Sequence, residues 1–320
     1  MKVLIIRFSS IGDVVLTTPI IRCLKQQKKA TIHYLIKDKF KEAIQGNPNI
    51  DKVFIHKKGV SKKLSKEKYN YIIDLQNNLN SYKIKTKLNV KALTVNKENI
   101  KKWLLVNLGI DLLKQQHIVD RYFKTIKTLN ISDDNKGLDF FIDDSFEINK
   151  SKLPINIDKP YIAWIVGASY KNKKISANQI ISVCNQLTQP VLLLGGKFDF
   201  LLAQKVSTET KNNQVYNLCG KLTLNDSSFL VKKSELVLTN DTGLMHIASA
   251  FKKKIISFWG CTKPSLGMFP YLADPLSKQL VFNPKKPPCS KLGNRCKQKK
   301  KGCINNIDPK QIYLEIQKAL

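Results

Sequence analysis

Short apolar runs alternate with longer amphipathic stretches through the first half of the chain. The runs have the length and composition of buried strands and lie at residues 2–8, 31–36, 52–56, 71–75 and 92–95. The stretches carry apolar residues at helical spacing, most clearly at residues 14–26, 101–108 and 118–129. Strands that are separated by helices in this way predict a parallel sheet of the α/β class.

The second half repeats this alternation after a polar break. Residues 133–160 are polar and interrupted by Gly137, Pro154 and Pro160, so we place the segment between domains there. Beyond it, predicted strands at 161–166, 191–194, 215–218, 235–238 and 254–259 alternate with predicted helices at 178–187, 200–206, 227–232 and 244–251. We therefore predict two Rossmann-like, parallel-sheet domains that face a central cleft, at 1–155 and 156–305, and a C-terminal helix within 306–320.

The stretch from Thr239 to Gly260 combines a predicted strand end, a turn, a short helix and a second strand. Its polar residues gather where the first strand ends, which is the edge at which open α/β sheets bind ligands. The N–H groups at a helix start suit a phosphate, and Gly243 lets the backbone approach it closely. Asp241 and His246 can add polar contacts. The alternative is an aspartate that caps the helix and a histidine that is buried in the core.

The turn after the first strand, SSIGD, lacks the G-x-G-x-x-G pattern of dinucleotide-binding proteins. It offers instead the carboxylate of Asp13 at a helix start, where it can accept a proton from a substrate hydroxyl. The helix N-terminus stabilises the anion, which keeps Asp13 ionised but makes it a weaker base. The alternative is a carboxylate that only caps the helix.

Two further turns follow predicted strands of the second domain. Residues 169–174 contain Ser169 and three lysines, a set of donors that suits a diphosphate and neutralises charge on a leaving nucleotide. Residues 195–199 contain two glycines and Asp199, whose carboxylate can bind ribose hydroxyls. The alternatives are a solvated basic loop for the first turn and an ordinary glycine turn for the second.

Cysteine is the remaining candidate for chemistry. Cys289, Cys296 and Cys303 have the spacing C-x6-C-x6-C in a basic tail, whereas zinc sites favour C-x2–4-C pairs, and the sequence suggests no fourth ligand. We expect buried or free thiols and no metal. The chain has seven cysteines, an odd number, and no export signal, which favours reduced thiols in a cytoplasm.

No apolar run approaches the ~20 residues that are needed to span a bilayer, so we expect no membrane-spanning helix.

The net charge of the chain limits the classes of partner that we expect. It carries 55 Lys and Arg residues against 24 Asp and Glu residues, a formal net charge of +31, which favours phosphate-rich partners. Only four of the basic residues are arginine, and a compositional bias towards Lys, Asn and Ile explains the charge equally well. Because base-reading proteins rely on arginine forks and aromatic stacking, neither of which is clustered here, we expect no nucleic acid partner.

Taken together, these motifs resemble glycosyltransferase family 9, the lipopolysaccharide heptosyltransferases and their relatives. The resemblance spans the chain, in the order IIRFSSIGDVVLTTPIIRCLK, IIDLQNNLNS, GASYKNKKIS, LLLGGKFD, TNDTGLMHIASAFKKKIISFWG and the cysteine tail. It implies a GT-B fold with an N-terminal acceptor domain, a C-terminal nucleotide-sugar domain and a closing C-terminal helix. It also implies an inverting transfer of heptose or a related sugar from an ADP-linked donor to a lipopolysaccharide core or similar surface glycan, without a metal or other cofactor.

The resemblance implies roles for individual residues. Asp13 matches the catalytic base, which deprotonates the acceptor hydroxyl that attacks the anomeric carbon. Ser169 and Lys173 match the positions that bind the donor diphosphate. Three residues are implied on the acceptor side, namely Arg7, Gln76 and Arg121. The remaining donor-site positions are Asp199 near the ribose and the motif residues Asp241, Thr242, Gly243, Leu244 and His246.

Several donor-site positions depart from the family pattern. Ile175 stands where a tryptophan is usual, Asp199 replaces a glutamate, and Ala168 stands where some members carry a hydroxyl. The stretch GCTKPSLGMFPY also differs from the common G-P-T-x-P-x-x-x-G form. The resemblance therefore specifies the reaction class better than it specifies heptose or ADP.

The expected partners follow from this reaction. They are a nucleotide-sugar donor, an acidic lipid-linked glycan acceptor and the anionic cytoplasmic face of a bacterial inner membrane, which the lysine-rich surface would bind peripherally. One alternative is a nucleotide-sugar epimerase on the same fold, which forms product without an acceptor. The other is a non-catalytic basic protein that binds membrane or nucleic acid, with steeply salt-dependent affinity.

Overall fold

The chain forms two compact units. The computed structural model describes residues 1–113, 116–143, 145–298 and 302–320. One unit comprises Met1–Asn99 with Gln116–Asp143, and the other comprises Ile100–Gln115 with Asp144–Leu320. Residues 100–115, which lie inside the predicted first domain, are thus grouped with the second unit. Each unit is built on a parallel sheet, which confirms the predicted α/β class and the two Rossmann-like domains.

The sheet of the first unit has the strand order β3-β2-β1-β4-β5, and all its pairs are parallel. Its central strand pairs Ile5 with Tyr34 on one side and with Ile73 on the other. The apolar runs predicted these strands to within two residues at each end, because a strand that is covered on both faces is apolar at most positions. The strands are β1 Lys2–Ile6, β2 Thr31–Ile36, β3 Lys52–Ile55, β4 Tyr71–Asp74 and β5 Ala92–Thr94.

The helix expected over residues 14–26 is two helices. The first, α1, ends at Val15, and the second, α2, begins at Thr18. Pro19 lies in the first turn of α2, where its missing N–H costs nothing, whereas a continuous helix would bring its ring against the Val15 carbonyl. The helices of the first half of the chain are α1 Ile11–Val15, α2 Thr18–Lys28, α3 Val60–Ser65, α4 Leu79–Leu88, α5 Asn99–Leu108 and α6 Ile118–Thr125.

A buried arginine attaches the end of the first unit to α2. Arg22 donates two hydrogen bonds of 2.7 Å to the carboxylate of Asp134, another to the Gly137 carbonyl at 2.9 Å, and also pairs with Asp139. Because Arg22 is 6% exposed, its charge is compensated by these partners instead of by water.

The sheet of the second unit has the strand order β11-β10-β9-β6-β7-β8 and is also parallel. Its edge strand β11 was not expected, since its sequence, KQLV, has one fully buried residue and follows a polar loop. The strands are β6 Ile162–Ile165, β7 Val191–Leu194, β8 Val215–Asn217, β9 Leu236–Asn240, β10 Lys254–Trp259 and β11 Lys278–Val281. The helices are α7 Ala177–Cys184, α8 Phe200–Glu209, α9 Leu224–Lys233, α10 Gly243–Ala250 and α11 Pro309–Ala319.

Both faces of this sheet are covered. Alternate residues of β6 belong to different core clusters, with Trp164 in one and Ala163 and Ile165 in the other. The C-terminal helix α11 contributes Ile312 and Ile316 to the first cluster. Each such fully buried aliphatic side chain contributes about 1.5–3 kcal/mol relative to its exposed state. In the ranges that the structure describes, every helix is too short or too polar to cross a lipid bilayer.

Candidate functional site

Asp13 lies in the first turn of α1, the helix that follows the carboxyl end of β1. Its Oδ2 accepts hydrogen bonds from the Ser10 backbone N–H at 3.0 Å and from the Ser10 hydroxyl at 2.8 Å. Its Oδ1 pairs with Nη2 of Arg7 at 2.6 Å. The side chain of Asp13 is 24% exposed, so a ligand can reach a carboxylate whose direction is fixed by protein contacts.

Arg7 acts as the anchor of this carboxylate. Its Nε donates to the Ser9 carbonyl at 3.0 Å and its Nη1 to the Leu75 carbonyl at 2.5 Å. Burial opposes ionisation of Asp13, but Arg7 and the two Ser10 hydrogen bonds outweigh it and hold the pKa of Asp13 below its usual value. The sequence had suggested only the helix N-terminus as the cause of this ionisation.

Gln76 joins the same group from the end of β4. Its Oε1 accepts a hydrogen bond from the Phe8 backbone N–H at 2.9 Å, so the predicted residues Arg7, Asp13 and Gln76 lie together at the carboxyl edge of the first sheet. Most nitrogen atoms of Arg7 already contact protein groups. Its predicted contact with an acceptor stays a prediction.

Arg121 lies on α6 and is 3% exposed. Burial lowers the pKa of Arg121, and the neighbouring Tyr122 interacts electrostatically with Arg7, Asp13 and Arg121. Burial raises the pKa of Tyr122 to about 12. Tyr34, which the sequence analysis did not select, is buried beside the same group and lies 3.1 Å from the Thr17 hydroxyl.

In the second unit, Lys173 and Asp241 form an ion pair of 2.7 Å. Lys173 follows β6 and Asp241 follows the adjacent strand β9, so the pair lies at the carboxyl edge of the sheet. Asp241 also accepts a hydrogen bond from the Thr262 hydroxyl at 3.0 Å. The side chains of Lys173 and Asp241 are 14% and 11% exposed, which leaves a partly accessible ammonium group with a fixed position.

The start of α10 adjoins this pair. Thr242 is the N-cap residue, its side chain makes no capping hydrogen bond, and Gly243 and Leu244 open the helix. The first N–H groups of a helix have no partner within the helix, and they carry the positive end of its dipole. His246 is 2% exposed on the next turn. This helix start and the Lys173 ammonium together can bind an anion such as a phosphate.

Asp199 is more enclosed than the sequence suggested. It is 7% exposed, pairs with Lys174 and accepts a hydrogen bond from the Gly196 N–H at 2.9 Å. A Cβ on Gly167 would lie 2.6 Å from Oδ2 of Asp199, so glycine is required for this close approach. Both carboxylate oxygens thus contact protein groups, and a ribose contact of Asp199 stays a prediction.

Asn240 connects the two turns that carry the lysines and Asp241. Its side chain donates to the Val166 carbonyl at 2.9 Å and accepts from the Ile175 N–H at 3.2 Å. It therefore closes both ends of the segment 167–174 onto β9. Ser169 lies within this segment and is exposed.

The tail cysteines converge on one residue that the sequence analysis missed. Cys289, Cys296 and Cys303 lie beside Cys261, which follows β10. Its distance from the tail in sequence hid it, since metal-site motifs are recognised by short spacings. The pairing of Lys174 with Asp199 and the hydrogen bond of Thr262 to Asp241 were missed for a similar reason, because contacts between turns leave no periodic signal.

Comparisons with known proteins show the family of the chain. A family model described as glycosyltransferase family 9 (heptosyltransferase) matches residues 58–301. The chain is 24% identical over 292 residues to lipopolysaccharide heptosyltransferase 1 of Campylobacter coli, covering 82% of this chain and 84% of that one. It is 26% identical over 291 residues to lipooligosaccharide heptosyltransferase 2 of Campylobacter jejuni, covering 82% of each.

Solved structures share the fold. A family 9 glycosyltransferase from Veillonella parvula matches with a TM-score of 0.80 and 19% identity, over 99% of this chain and 96% of that one. The E. coli heptosyltransferase WaaC with ADP matches with a TM-score of 0.73 and 18% identity over the whole of both chains. The fold is therefore of the GT-B type, as the sequence resemblance implied.

Proposed function

This chain belongs to glycosyltransferase family 9 and is a glycosyltransferase, and from that premise we propose an inverting, metal-independent transfer of a sugar from a nucleoside-diphosphate donor. The observation that carries the proposal is the carboxylate of Asp13, which is exposed in part, ionised and held at the carboxyl edge of the first sheet. In this reaction Asp13 removes the proton of an acceptor hydroxyl as its oxygen attacks the anomeric carbon.

The environment of Asp13 suits this role. Arg7 and Ser10 hold the carboxylate in one direction, so little reorganisation is needed when the acceptor binds. The lowered pKa keeps the carboxylate unprotonated at neutral pH, although it also weakens the base. Inversion follows from a single displacement, in which the hydroxyl attacks opposite the leaving nucleoside diphosphate.

The second unit supplies the groups that stabilise the leaving diphosphate. Lys173 and the N–H groups at the start of α10 can compensate the charge that develops when the glycosidic bond breaks. In this scheme they take the part that a divalent cation has in other transferases. Ser169 adds a hydroxyl donor from the same turn, and His246 and Asp199 support the nucleotide side of the site.

The donor and acceptor are proposed from the relatives. The E. coli structure binds ADP, and the Campylobacter proteins are named for lipopolysaccharide and lipooligosaccharide heptose transfer. We therefore assign ADP-heptose or a related sugar as the donor and a lipopolysaccharide core or similar surface glycan as the acceptor. The charge of +31 would hold the enzyme at an anionic cytoplasmic membrane surface that carries this acceptor.

A panel of nucleoside diphosphates tests the donor. ADP, GDP, UDP and CDP are each added to the purified protein and the melting temperature is measured. A ligand at 100 times its Kd stabilises the native state by about 2.7 kcal/mol, which raises Tm by roughly 4 °C for a chain of 320 residues. We expect ADP to give the largest shift. A preference for another base would replace ADP, and no shift with any of them would contradict the donor site.

The stereochemistry and the metal requirement need separate measurements. Proton NMR of the first product formed from an ADP-sugar of known anomeric configuration is expected to show inversion, and retention would contradict the single displacement. Adding Mg²⁺ or Mn²⁺ to enzyme that has been assayed without them is expected to leave the rate unchanged. A large stimulation by either ion would contradict metal-independent transfer.

A further inference from the structure

Four cysteine thiols meet at one point of the second unit. The Sγ atoms of Cys261, Cys289, Cys296 and Cys303 all lie within 4.8 Å of one another. The Sγ atom of Cys303 lies 3.4 Å from that of Cys289 and 3.5 Å from that of Cys296. Cys261 and Cys303 are buried, whereas Cys289 and Cys296 are partly exposed. The four thiols form a group with a buried side and an accessible side.

Backbone contacts bring these thiols together. The Cys289 N–H donates to the Cys261 carbonyl at 2.8 Å, which connects the tail to the end of β10. The Ser290 hydroxyl accepts from the Gly293 N–H at 3.0 Å and so closes a turn between the second and third cysteines. Gly260 lies so close to Ile304 that a Cβ would be 2.4 Å from its backbone nitrogen, and this contact places the neighbouring Cys303. These backbone contacts therefore hold the segments that carry the four cysteines close to one another.

The distances fit a single metal ion. A tetrahedral ion with metal–sulfur bonds of about 2.3 Å separates its sulfur ligands by about 3.8 Å. The measured separations of 3.4 and 3.5 Å and the limit of 4.8 Å bracket this value. Four thiolates without imidazole or carboxylate select a thiophilic ion, and their number leaves no open position for a substrate. An iron–sulfur cluster spreads its thiolates over several metal ions and needs wider spacing.

A buried cation stands beside the group. Lys263 is 5% exposed, its ammonium donates to the carbonyls of Asn283 and Lys286, and it interacts electrostatically with Cys289 and Cys303. A tetrathiolate site with a divalent ion carries a net charge of −2, and a nearby ammonium offsets part of it.

The loop between the cysteines also touches the candidate donor site. Gly293 has a φ of +82°, and a Cβ there would lie 2.7 Å from the Cγ of Lys173. Its carbonyl accepts a hydrogen bond from Asn172 at 3.2 Å. The cysteine loop therefore packs directly on the stem of Lys173.

We propose that Cys261, Cys289, Cys296 and Cys303 bind one thiophilic divalent metal ion, Zn²⁺ or Fe²⁺, in a closed structural site. The ion ties the tail to β10 and holds the loop against Lys173. It has no part in the transfer chemistry, so the site is compatible with a metal-independent reaction. It replaces the expectation, drawn from the sequence, that these cysteines bind no metal.

Metal content tests the site directly. The protein is purified under reducing conditions without added chelator, and its zinc and iron are measured by mass spectrometry of the elements. We expect one ion per chain in the wild type and in Cys184→Ala, which removes a buried cysteine elsewhere in the second unit. We expect loss of the ion in Cys261→Ser and in Cys296→Ser. Zinc or iron in the wild type decides between the two ions, and a metal-free wild type with intact fold overturns the proposal.

Two further measurements separate a metal site from a folding effect. Cys296→Ser changes a partly exposed residue, so its circular dichroism is expected to match the wild type while its metal is lost. Wild type that has been loaded with Co²⁺ is expected to show the strong visible absorption of tetrahedral thiolate ligation. Trypsin is expected to cleave at Lys291 or Arg295 several-fold faster in Cys296→Ser than in Cys184→Ala. Equal cleavage rates, or a disulfide between Cys289 and Cys303 in the purified protein, would overturn the proposal.

Discussion

The two units place ion pairs at the same kind of position, the carboxyl edge of a parallel sheet, but they use them in opposite ways. In the first unit the arginine is enclosed and the carboxylate of Asp13 is the group that a ligand can reach. In the second unit the carboxylate of Asp241 is fixed by Thr262, and the ammonium of Lys173 is available to an anion.

From this difference we infer which member of each pair is available to a substrate. In each pair the less exposed member serves as the anchor and the more exposed member is available to a ligand, with side-chain exposures of 11% for Arg7 and 24% for Asp13, and of 11% for Asp241 and 14% for Lys173. By this criterion we propose that Arg7 and Asp241 position their partners, and that Asp13 and Lys173 contact the substrates. Capping of α1 by Asp13 is compatible with its proposed catalytic role, since only Oδ2 caps the helix, while Oδ1 faces Arg7 and the side chain stays 24% exposed.

The largest effect is expected from Asp13→Asn. The amide can still accept the hydrogen bonds that cap α1, so the fold is retained, but it cannot accept a proton. We expect turnover to fall by about 10²–10⁴-fold with unchanged nucleotide binding. Steady-state kinetics and calorimetry measure the two quantities.

Asp226→Asn is a matched control for that variant. Thr223 and Asp226 form the same capping arrangement at α9, with donor distances of 2.9 and 2.7 Å to Oδ2 of Asp226, but without an arginine partner. We expect it to retain wild-type turnover. A similar loss in both variants would mean that Asp13 acts only through its cap.

A smaller effect is expected from Lys173→Met, which keeps the packing of the stem against Gly293 but removes the charge. Charge-assisted hydrogen bonds contribute about 1.5–3 kcal/mol, so Kd for the nucleoside diphosphate is expected to rise roughly 10- to 100-fold. Calorimetric titration measures this change. Lys171→Met removes an exposed lysine of the same turn and is the control. Equal weakening in both variants would indicate a general effect of charge.

Replacing Arg7, the anchor of Asp13, is expected to change the pH dependence of kcat/KM more than it changes the maximal rate. Without Arg7, burial dominates and raises the pKa of Asp13, because burial is the largest influence on this carboxylate. Since the base must be deprotonated, the acidic limb of kcat/KM is expected to move to higher pH in Arg7→Gln. In Arg7→Lys the acidic limb is expected at a pH between those of the wild type and Arg7→Gln. A limb that stays in place would show that Arg7 does not set the ionisation of Asp13.

The smallest effect on activity is expected from an ion pair that lies outside both sites. Hydrogen bonding by Arg22 lowers the pKa of Asp134 from 3.8 to about 2. This lowered pKa gives stability that is present above pH ~4 and is lost as the pH falls towards 2, and it amounts to about 2 kcal/mol at neutral pH. Asp134→Asn is therefore expected to lower the unfolding free energy by about that amount with unchanged turnover. Urea unfolding at pH 7 and pH 3 measures it, and a penalty that is equal at both values would contradict the linkage.

The sequence predicted the central strands well because burial on both faces makes them apolar at most positions. Thr31–Ile36, Val191–Leu194 and Lys254–Trp259 were placed at their observed bounds. The edge strand Lys278–Val281 was missed because it pairs on one side only, with β10, and needs few apolar residues. The break between α1 and α2 was missed because the apolar spacing continues through it.

The candidate sites were predicted residue by residue but not contact by contact. Motifs gave Asp13, Lys173 and Asp241, since each follows a strand end. The motifs predicted neither the ion pair between Arg7 and Asp13 nor Cys261 as the fourth cysteine of the cluster. Both depend on which loops meet in three dimensions. Partners that are distant in sequence and have no fixed spacing are visible only in the folded chain.

The bridge made by Asn240 has a thermodynamic consequence for ligand binding. Because its amide fixes both ends of the segment 167–174, most of the conformational entropy of that segment is lost when the protein folds. In the proposed reaction, a nucleotide that binds to this segment does not have to order it again, so its affinity is higher than for a disordered segment. Shortening the side chain of Asn240 would keep every hydrogen-bond donor of the segment 167–174 but is expected to weaken nucleotide binding.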